Sequence, residues 1–260
     1  MLILYPLFDD RRYTYSRMNR SKKYYPLFLG VSMAFLVGCG SLGTKSGKTV
    51  FREDGVRIVR QNVQLRGSEG QSYAVESYVL MPEPQRKGEH FPLLLALHGR
   101  GGNGRAYLEI WRKEASQRRW MILAPSYENP DFDLDAIDAL LIQVKRDYPV
   151  DSARIYLEGV SAGGFISQLL VKQNPSAWKA AVFVAAPPFE APGHQTSAGY
   201  PPLLFVHGEK DAQFRFEDVL TRVGALKKEG IEAEVFRYPD AAHEHRPEWN
   251  GAIFDWLERH

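Results

Sequence analysis

A serine flanked by glycines is the pattern in this sequence most suited to chemistry. Gly159-Val-Ser161-Ala-Gly163 follows a short apolar run and precedes a stretch with helical spacing of apolar residues. A serine hydroxyl is a poor nucleophile unless it is held exposed beside a base, and a tight strand-to-helix turn holds it that way. The N-terminus of the helix would also direct the Ala162 N–H towards an oxyanion. The pattern therefore predicts Ser161 as a nucleophile.

An aspartate and a histidine further along the chain could complete this chemistry. Asp211 lies a few residues past the apolar run 202–207, and His243 lies just past the run 234–238. If both runs are strands of a parallel sheet, their carboxyl ends meet at one edge of it. The chain order serine, aspartate, histidine is the order expected on such a sheet. We predict that His243 takes the proton of Ser161 and that Asp211 orients the imidazole.

Other residues compete for these two roles. Asp240 is an alternative acid, although it lies so near His243 in sequence that reaching the far ring nitrogen is difficult. His245 is an alternative base. His98 and His207 each end an apolar run before a glycine, which indicates structural roles. No metal-ligand spacing such as His-Glu-x-x-His occurs, so we expect no metal site and no cofactor.

The elements that must position these residues alternate along the chain. Two stretches of alternating apolar and polar residues, 56–66 and 73–80, predict an antiparallel hairpin at a sheet edge. Apolar runs predict strands at 92–97, 120–124, 155–157, 179–186, 202–207 and 234–238, and helical spacing predicts helices at 107–118, 133–148, 165–174, 216–229 and 248–258. This order predicts an α/β fold with a mostly parallel, doubly wound sheet.

Residues 51–260 resemble an α/β-hydrolase. The motifs that carry the resemblance are His98-Gly-Arg-Gly-Gly102, Gly159-Val-Ser-Ala-Gly-Gly164, His207-Gly-Glu-Lys-Asp211 and Ala242-His243. More narrowly, they are similar to the esterase branch that includes polyhydroxybutyrate-depolymerase-like, feruloyl-esterase-like and prolyl-oligopeptidase-like domains. In that branch a small residue precedes the catalytic histidine, which favours His243 over His245. Ala242 stands where glycine is commoner.

The same resemblance implies an oxyanion hole and an open cleft. The turn after the third strand supplies one oxyanion amide in that branch, which corresponds here to the Arg100 N–H, and the Ala162 N–H is its partner. Many such hydrolases insert a lid where this chain has residues 187–200, too few for a helical lid. We expect no lid domain, and a cleft suited to short-chain or exposed esters. Its expected lining is Tyr127, Pro187, Pro188, Phe189, Phe214 and Trp249.

Composition excludes several other function classes. The chain has 260 residues, 44% of them hydrophobic, which is enough for one globular core without disulfides. The formal net charge is only +2 and no basic stripe with interleaved aromatic residues occurs, so we expect no nucleic acid partner. The single cysteine, Cys39, excludes an intrachain disulfide and, because of its position, a catalytic thiol.

The first forty residues predict export and lipidation. From Met18 the chain is basic and then apolar, and it reaches Leu36-Val-Gly-Cys39, which resembles the lipobox of bacterial lipoproteins. We interpret 1–38 as a lipoprotein signal peptide, with Met18 as an alternative start because charged residues interrupt the preceding segment. Cys39 would be acylated, 39–50 would include a flexible tether, and 51–260 would be the catalytic domain. An ordinary signal peptide or an anchor helix is the alternative.

These features predict a lipid-anchored serine hydrolase of the bacterial cell envelope. Gly40 stands after Cys39 where an aspartate would favour the inner membrane, so the outer membrane is favoured if the cell has two. The expected substrate is a small-molecule or polymer-borne carboxylic ester, cleaved through an acyl-enzyme. A prolyl-oligopeptidase-like peptidase is one alternative, although a propeller domain is absent from the sequence. A non-catalytic envelope lipoprotein that uses the fold as a binding scaffold is another.

Overall fold

The computed structural model of the protein describes residues 48–66, 72–127, 134–188, 190 and 199–260. These residues belong to one compact unit, Thr44–His260. The predicted signal peptide (1–38), the lipidation site Cys39 and most of the predicted tether lie outside the described residues. Within the described ranges, no helix has the length and apolar character needed to cross a membrane.

A sheet of nine strands, counted over the described residues, forms the centre of this unit. The strands are β1 (Thr49–Glu53), β2 (Val56–Arg66), β3 (Ser72–Pro82), β4 (Phe91–Leu97), β5 (Met121–Pro125), β6 (Val150–Val160), β7 (Ala181–Val184), β8 (Leu203–Gly208) and β9 (Ala233–Tyr238). They lie in the order β1-β2-β3-β5-β4-β6-β7-β8-β9. β1, β2, β3 and β5 pair antiparallel, and all pairs from β5 to β9 are parallel. The predicted α/β fold with an antiparallel N-terminal hairpin is confirmed.

Helices pack on both faces of the sheet and form two hydrophobic cores. The helices are α1 (Gly104–Arg118), α2 (Leu134–Asp147), α3 (Ala162–Gln173), α4 (Phe216–Lys228) and α5 (Asn250–Leu257). In β4, Leu93, Leu95 and Leu97 face the core shared with α2, α3 and α4. Leu94 and Ala96 face the core shared with α1 and α5. A strand covered on both faces needs apolar residues at every position, which explains the continuous apolar run of β4.

Two strands differ from the sequence expectation. β1 begins at Thr49, inside the segment interpreted as tether, and all five of its residues are exposed. Because an edge strand exposed on both faces has no apolar pattern, pairing with β2 defines it and sequence periodicity does not. β6 extends from Val150 rather than from Ile155, and its early residues 152–154 are exposed and polar or small.

Candidate active site

Ser161 occupies a strained turn between β6 and α3. Its backbone angles are φ 52° and ψ −117°, a region that non-glycine residues rarely adopt. The Ser161 N–H donates to the carbonyl oxygen of Val184 in β7 over 2.8 Å, which fixes the turn to the sheet. A Cβ on Gly159 would overlap the backbone of Gly163, and a Cβ on Gly163 would overlap the carbonyl of Leu97 in β4. The two glycines therefore allow the close packing that this turn needs.

The structure brings Ser161, His243 and Asp211 into one hydrogen-bonded line. The Oγ atom of Ser161 lies 2.8 Å from Nε2 of His243. Nδ1 of the same imidazole lies 2.8 Å from Oδ2 of Asp211. The Asp211 side chain is completely buried, whereas that of His243 remains 16% exposed. The acid is thus shielded from water, and the serine and the imidazole stay partly exposed.

Hydrogen-bond donors surround the Asp211 carboxylate. The backbone N–H groups of Gln213 and Phe214 donate to its Oδ1 over 2.8 and 3.0 Å. Nε2 of His207 lies 3.3 Å from Oδ2 of Asp211 and 2.9 Å from the carbonyl oxygen of Phe214. These contacts fix the orientation of the Asp211 side chain towards His243. Sequence reasoning gave His207 only a structural role, and its spacing of four residues before Asp211 was the available signal.

The two alternative candidates make other contacts. Asp240 is exposed, and its carboxylate accepts a hydrogen bond from the Arg246 guanidinium over 2.9 Å, which lowers its pKa. The His245 imidazole lies between Tyr107 and Asn250, with Nδ1 3.1 Å from the Tyr107 hydroxyl. Burial lowers the pKa of His245 to about 4. Neither residue joins the line to Ser161.

The predicted oxyanion turn lies against Ser161. The Gly102 N–H donates to the carbonyl of Gly99 over 3.1 Å, and Gly101 has φ 74°, so Arg100 occupies the second position of a tight turn. A Cβ on Gly99 would lie 3.6 Å from the Ser161 Cβ, which places this turn beside the serine. Ala162 is the first residue of α3, where an N–H has no acceptor within the helix. The assignment of the Arg100 and Ala162 amides as the oxyanion hole stays a prediction.

His98 and Tyr127 pack against each other beside this turn and make hydrogen bonds to its backbone. Their rings stack with centroids 4.1 Å apart, and the Tyr127 hydroxyl donates to the His98 carbonyl over 2.5 Å. Nδ1 of His98 lies 2.8 Å from the carbonyl of Gly99 and can only donate to it. The Tyr127 N–H donates to Nε2 over 3.4 Å, which requires a neutral imidazole, and burial lowers the pKa of His98 in agreement with this.

The expected lining of the cleft needs correction at four positions, because Pro187 and Pro188 are buried, as are two of the aromatic residues. Phe214 lies beside His243, with ring centroids 5.6 Å apart, as a cleft residue should. Tyr127 and Trp249 are instead buried: Tyr127 stacks on His98, and Trp249 stacks on Tyr238. Large aromatic rings after strand ends can fold down into the core, and sequence position alone does not reveal this. Phe189 and most of the segment expected to lack a lid (189 and 191–198) lie outside the described residues.

A second hydrogen-bonded line is buried next to the Ser161 turn, and the sequence analysis did not predict it. Glu158, the residue before Gly159, has no solvent exposure, and its Oε1 lies 2.7 Å from the Tyr107 hydroxyl. Burial raises the pKa of Glu158 well above its usual value, and it does the same for Tyr107. A single acidic residue within an apolar strand is the sequence feature that could have predicted this contact.

One group of possible metal ligands occurs in the part of the chain that the structure describes. Glu232, Glu234 and His260 approach each other closely enough to share an ion. Glu232 and Glu234 lie at the start of β9 and His260 follows α5, whereas Ser161 and His243 follow the carboxyl ends of strands. This cluster is therefore no part of the candidate active site.

Comparison with protein families identifies the fold's relatives. The family model for the dienelactone hydrolase family matches residues 107–248, more than half of the chain and including Ser161, Asp211 and His243. The chain belongs to the dienelactone hydrolase family. A solved member of the same fold, an acetyl xylan esterase from Paenibacillus sp. R4, superimposes with a TM-score of 0.60 at 15% identity. That match covers 83% of this chain and 89% of the esterase, and it shows the α/β-hydrolase fold.

Two curated proteins are similar to this chain in sequence. An uncharacterised peptidase of Bacillus subtilis, YuxL, is 27% identical over 229 residues. A poly(3-hydroxyoctanoate) depolymerase of Pseudomonas fluorescens is 25% identical over 146 residues. The matched regions amount to 66% and 53% of this chain, but to only 34% and 52% of the two relatives. The chain therefore spans a third to a half of the curated relatives it matches.

Proposed function

We propose that this chain is a serine hydrolase that cleaves carboxylic esters. The observation that carries the proposal is the unbroken line from Ser161 Oγ through His243 to Asp211, with both contacts at 2.8 Å. A serine is activated in this way for attack on a carbonyl carbon. Membership of the dienelactone hydrolase family supports hydrolysis. The names of an esterase and a depolymerase among the similar proteins support an ester as the substrate.

The proposed reaction has two halves that use the same residues. Ser161 Oγ attacks the ester carbonyl carbon while His243 Nε2 takes the hydroxyl proton and then gives it to the leaving alcohol. A water molecule next loses a proton to His243 and attacks the acyl-enzyme, and the carboxylic acid leaves as Ser161 regains its proton. Asp211 holds the imidazole and stabilises its positive charge. The amides of Arg100 and Ala162 would bind the oxyanion in both halves.

Hydrolysis of p-nitrophenyl esters of increasing acyl length tests this proposal. We expect the purified chain to cleave short acyl esters and its rate to fall steeply with acyl length, as an open cleft would require. The Ser161→Ala variant is the control and should be inactive. Equal activity of both proteins, or no activity on any ester, would contradict the ester hydrolase assignment.

A serine peptidase is the second candidate, and the sequence similarity to the peptidase YuxL favours it. The same three residues would cleave an amide, so geometry does not separate the two reactions. Comparing kcat/KM for an alkyl ester and a prolyl peptide does separate them. A non-catalytic scaffold is the third candidate, and labelling by a fluorophosphonate probe distinguishes it because the probe requires an activated serine. Absence of labelling would favour the scaffold.

We further propose that the chain is anchored in the bacterial envelope through lipidated Cys39, with residues 1–38 as its signal peptide. The sequence Leu36-Val-Gly-Cys39 supports this. In cells that express the full chain, Cys39→Ser should move the protein from the membrane fraction to the soluble fraction. The Ser161→Ala variant is a matched control and should stay with the membrane. Fractionation without a shift for Cys39→Ser would exclude the lipid anchor.

A further inference from the structure

Four side chains next to the Ser161 turn form a hydrogen-bonded line that the proposed reaction does not use. Glu158 Oε1 lies 2.7 Å from the Tyr107 hydroxyl, which in turn lies 3.1 Å from Nδ1 of His245. Nε2 of His245 lies 2.7 Å from Oδ1 of Asn250. The Nδ2 group of Asn250 donates to the carbonyl oxygen of Ile110 over 2.7 Å and ends the line. Each contact needs one hydrogen, so the hydrogens can be counted.

The side-chain amide of Asn250 determines which atom donates and which accepts in each contact. Since its Nδ2 donates to Ile110, its Oδ1 can only accept, and Nε2 of His245 must carry a hydrogen. In a neutral imidazole Nδ1 then accepts, so the Tyr107 hydroxyl donates to His245. That hydroxyl has one hydrogen, and its contact with Glu158 needs another. The carboxyl group of Glu158 must supply it.

An ion-paired arrangement has the same number of protons, but burial argues against it. There, His245 would be an imidazolium and Tyr107 would donate to a Glu158 carboxylate. The second carboxyl oxygen, Oε2, is buried and has no hydrogen-bond partner among the described residues. A charged oxygen buried there without a hydrogen-bond donor would cost much free energy. The carbonyl oxygen of a neutral acid costs less in the same position. Burial also raises the pKa of Glu158 and lowers that of His245, in agreement with the neutral arrangement.

We propose that Glu158 is a neutral carboxylic acid in the active protein and that its proton holds the three segments of the active site in register. Glu158 lies three residues before Ser161. Tyr107 lies in α1, directly after the predicted oxyanion turn, and His245 lies two residues after His243. The line therefore joins the nucleophile, the oxyanion turn and the base without touching the reacting atoms. Its role as a positioning device depends on the proposed function, whereas the location of the proton does not.

Loss of that proton would break the line at one of two contacts. The titratable groups that face Glu158 are Tyr107 from α1 and Tyr127 from the segment after β5, with His245 reached through Tyr107. None of these supplies a positive charge at neutral pH. With Glu158 ionised, the single hydrogen of Tyr107 is pulled towards the carboxylate, and Nδ1 of a neutral His245 loses its donor. We expect alkaline pH to loosen the segment that carries His243.

The variant Glu158→Gln tests the proton directly. The Gln side-chain N–H can donate to Tyr107 as the acid O–H does, and it cannot ionise. We expect kcat near neutral pH to stay within about twofold of wild type, because the geometry is retained. The wild-type kcat should decline at alkaline pH, and that decline should be absent from the variant. Superimposable pH profiles, or a large loss of kcat in the variant at neutral pH, would overturn the proposal.

Tyr107→Phe removes both contacts of the hydroxyl and keeps the ring packing. If the line positions the site, kcat should fall by about tenfold to a hundredfold with little change in KM, as expected for a misplaced catalytic group. An unchanged kcat would overturn the positioning role. A loss of structure is recognised by near-UV circular dichroism, and in that case the comparison of wild type with Glu158→Gln decides alone.

Infrared spectroscopy locates the proton independently of any activity. The difference spectrum between wild type and Glu158→Gln should contain the carbonyl stretch of a protonated carboxylic acid at neutral pH. Carboxylate bands in its place would overturn the proposal even in an active enzyme. The acid band in a protein that cleaves no ester would support the proton assignment and contradict the proposed function.

Discussion

His243 and His245 lie two residues apart, and each belongs to a line that ends on a carboxyl group, yet their surroundings differ. Asp211 reaches His243 directly and accepts two backbone N–H groups on its other oxygen. Glu158 reaches His245 only through Tyr107, and its other oxygen has no donor among the described residues. Donors favour an ionised acid and their absence favours a neutral one. The same residue types therefore suit proton transfer in one line and positioning in the other.

The largest effect should come from removing the proposed nucleophile of the accessible line. Ser161→Ala is expected to lower kcat by about a millionfold, because the hydroxyl proposed to form the acyl-enzyme is lost. Steady-state kinetics on the best p-nitrophenyl ester would measure it, with thermal unfolding to show that the fold persists. Residual activity of more than about a thousandth of wild type would mean that another residue supplies the nucleophile.

Replacing each acid by its amide tests the comparison between the two lines most directly. Asp211→Asn should lower kcat by about ten-thousandfold, because the amide no longer stabilises the imidazolium or selects the correct tautomer of His243. Glu158→Gln is the matched change in the other line, with an expected loss of no more than about twofold at neutral pH. Both are measured by kcat at one pH on one ester. Equal losses would show that the two acids contribute equally to catalysis and would contradict a positioning role for Glu158.

Much of the accessible line could be predicted from the sequence because its parts follow strand ends. Apolar runs identified β6, β8 and β9, and parallel strands bring their carboxyl ends to one edge. Ser161, Asp211 and His243 follow those strands and do come together. Choosing His243 over His245 also depended on a resemblance, since both histidines follow β9 closely.

The buried line could not be predicted in the same way. Glu158 and Tyr107 are 51 residues apart in sequence, and no local periodicity relates them. Their contact depends on how α1 crosses the sheet, which follows from packing of two cores rather than from any motif. The burial of Trp249 and the pairing of the exposed strand β1 depend on tertiary contacts in the same way. Sequence patterns thus located the residues after strand ends more reliably than those between layers.

The neutral acid should also appear in the pH dependence of stability. The folded state keeps the Glu158 proton above the pH at which the unfolded chain releases it, because burial raises its pKa. Relative to Glu158→Gln, the wild-type free energy of unfolding should therefore fall with rising pH by up to about 1.4 kcal/mol per pH unit, until the folded protein loses the proton.

The best window for this measurement lies above about pH 7.5, where His245 is neutral in the unfolded chain as well as in the folded protein. At lower pH the depressed pKa of His245, about 4, acts with the opposite sign, because the unfolded chain binds that proton more readily. Urea unfolding of both proteins at several pH values between neutral and alkaline would give the difference. Parallel stability curves for wild type and variant would mean that Glu158 is already ionised.

The smallest effect is expected at Asp240, the acid that sequence reasoning kept as an alternative. Its carboxylate is exposed and pairs with Arg246 rather than with His243. Exposed ion pairs are well screened by water, so Asp240→Asn should change kcat by less than about twofold. The measurement matters because it separates two explanations of a loss in Asp211→Asn. If general negative charge near His243 supported catalysis, both substitutions would reduce kcat; if the direct contact to Nδ1 is required, only Asp211→Asn does.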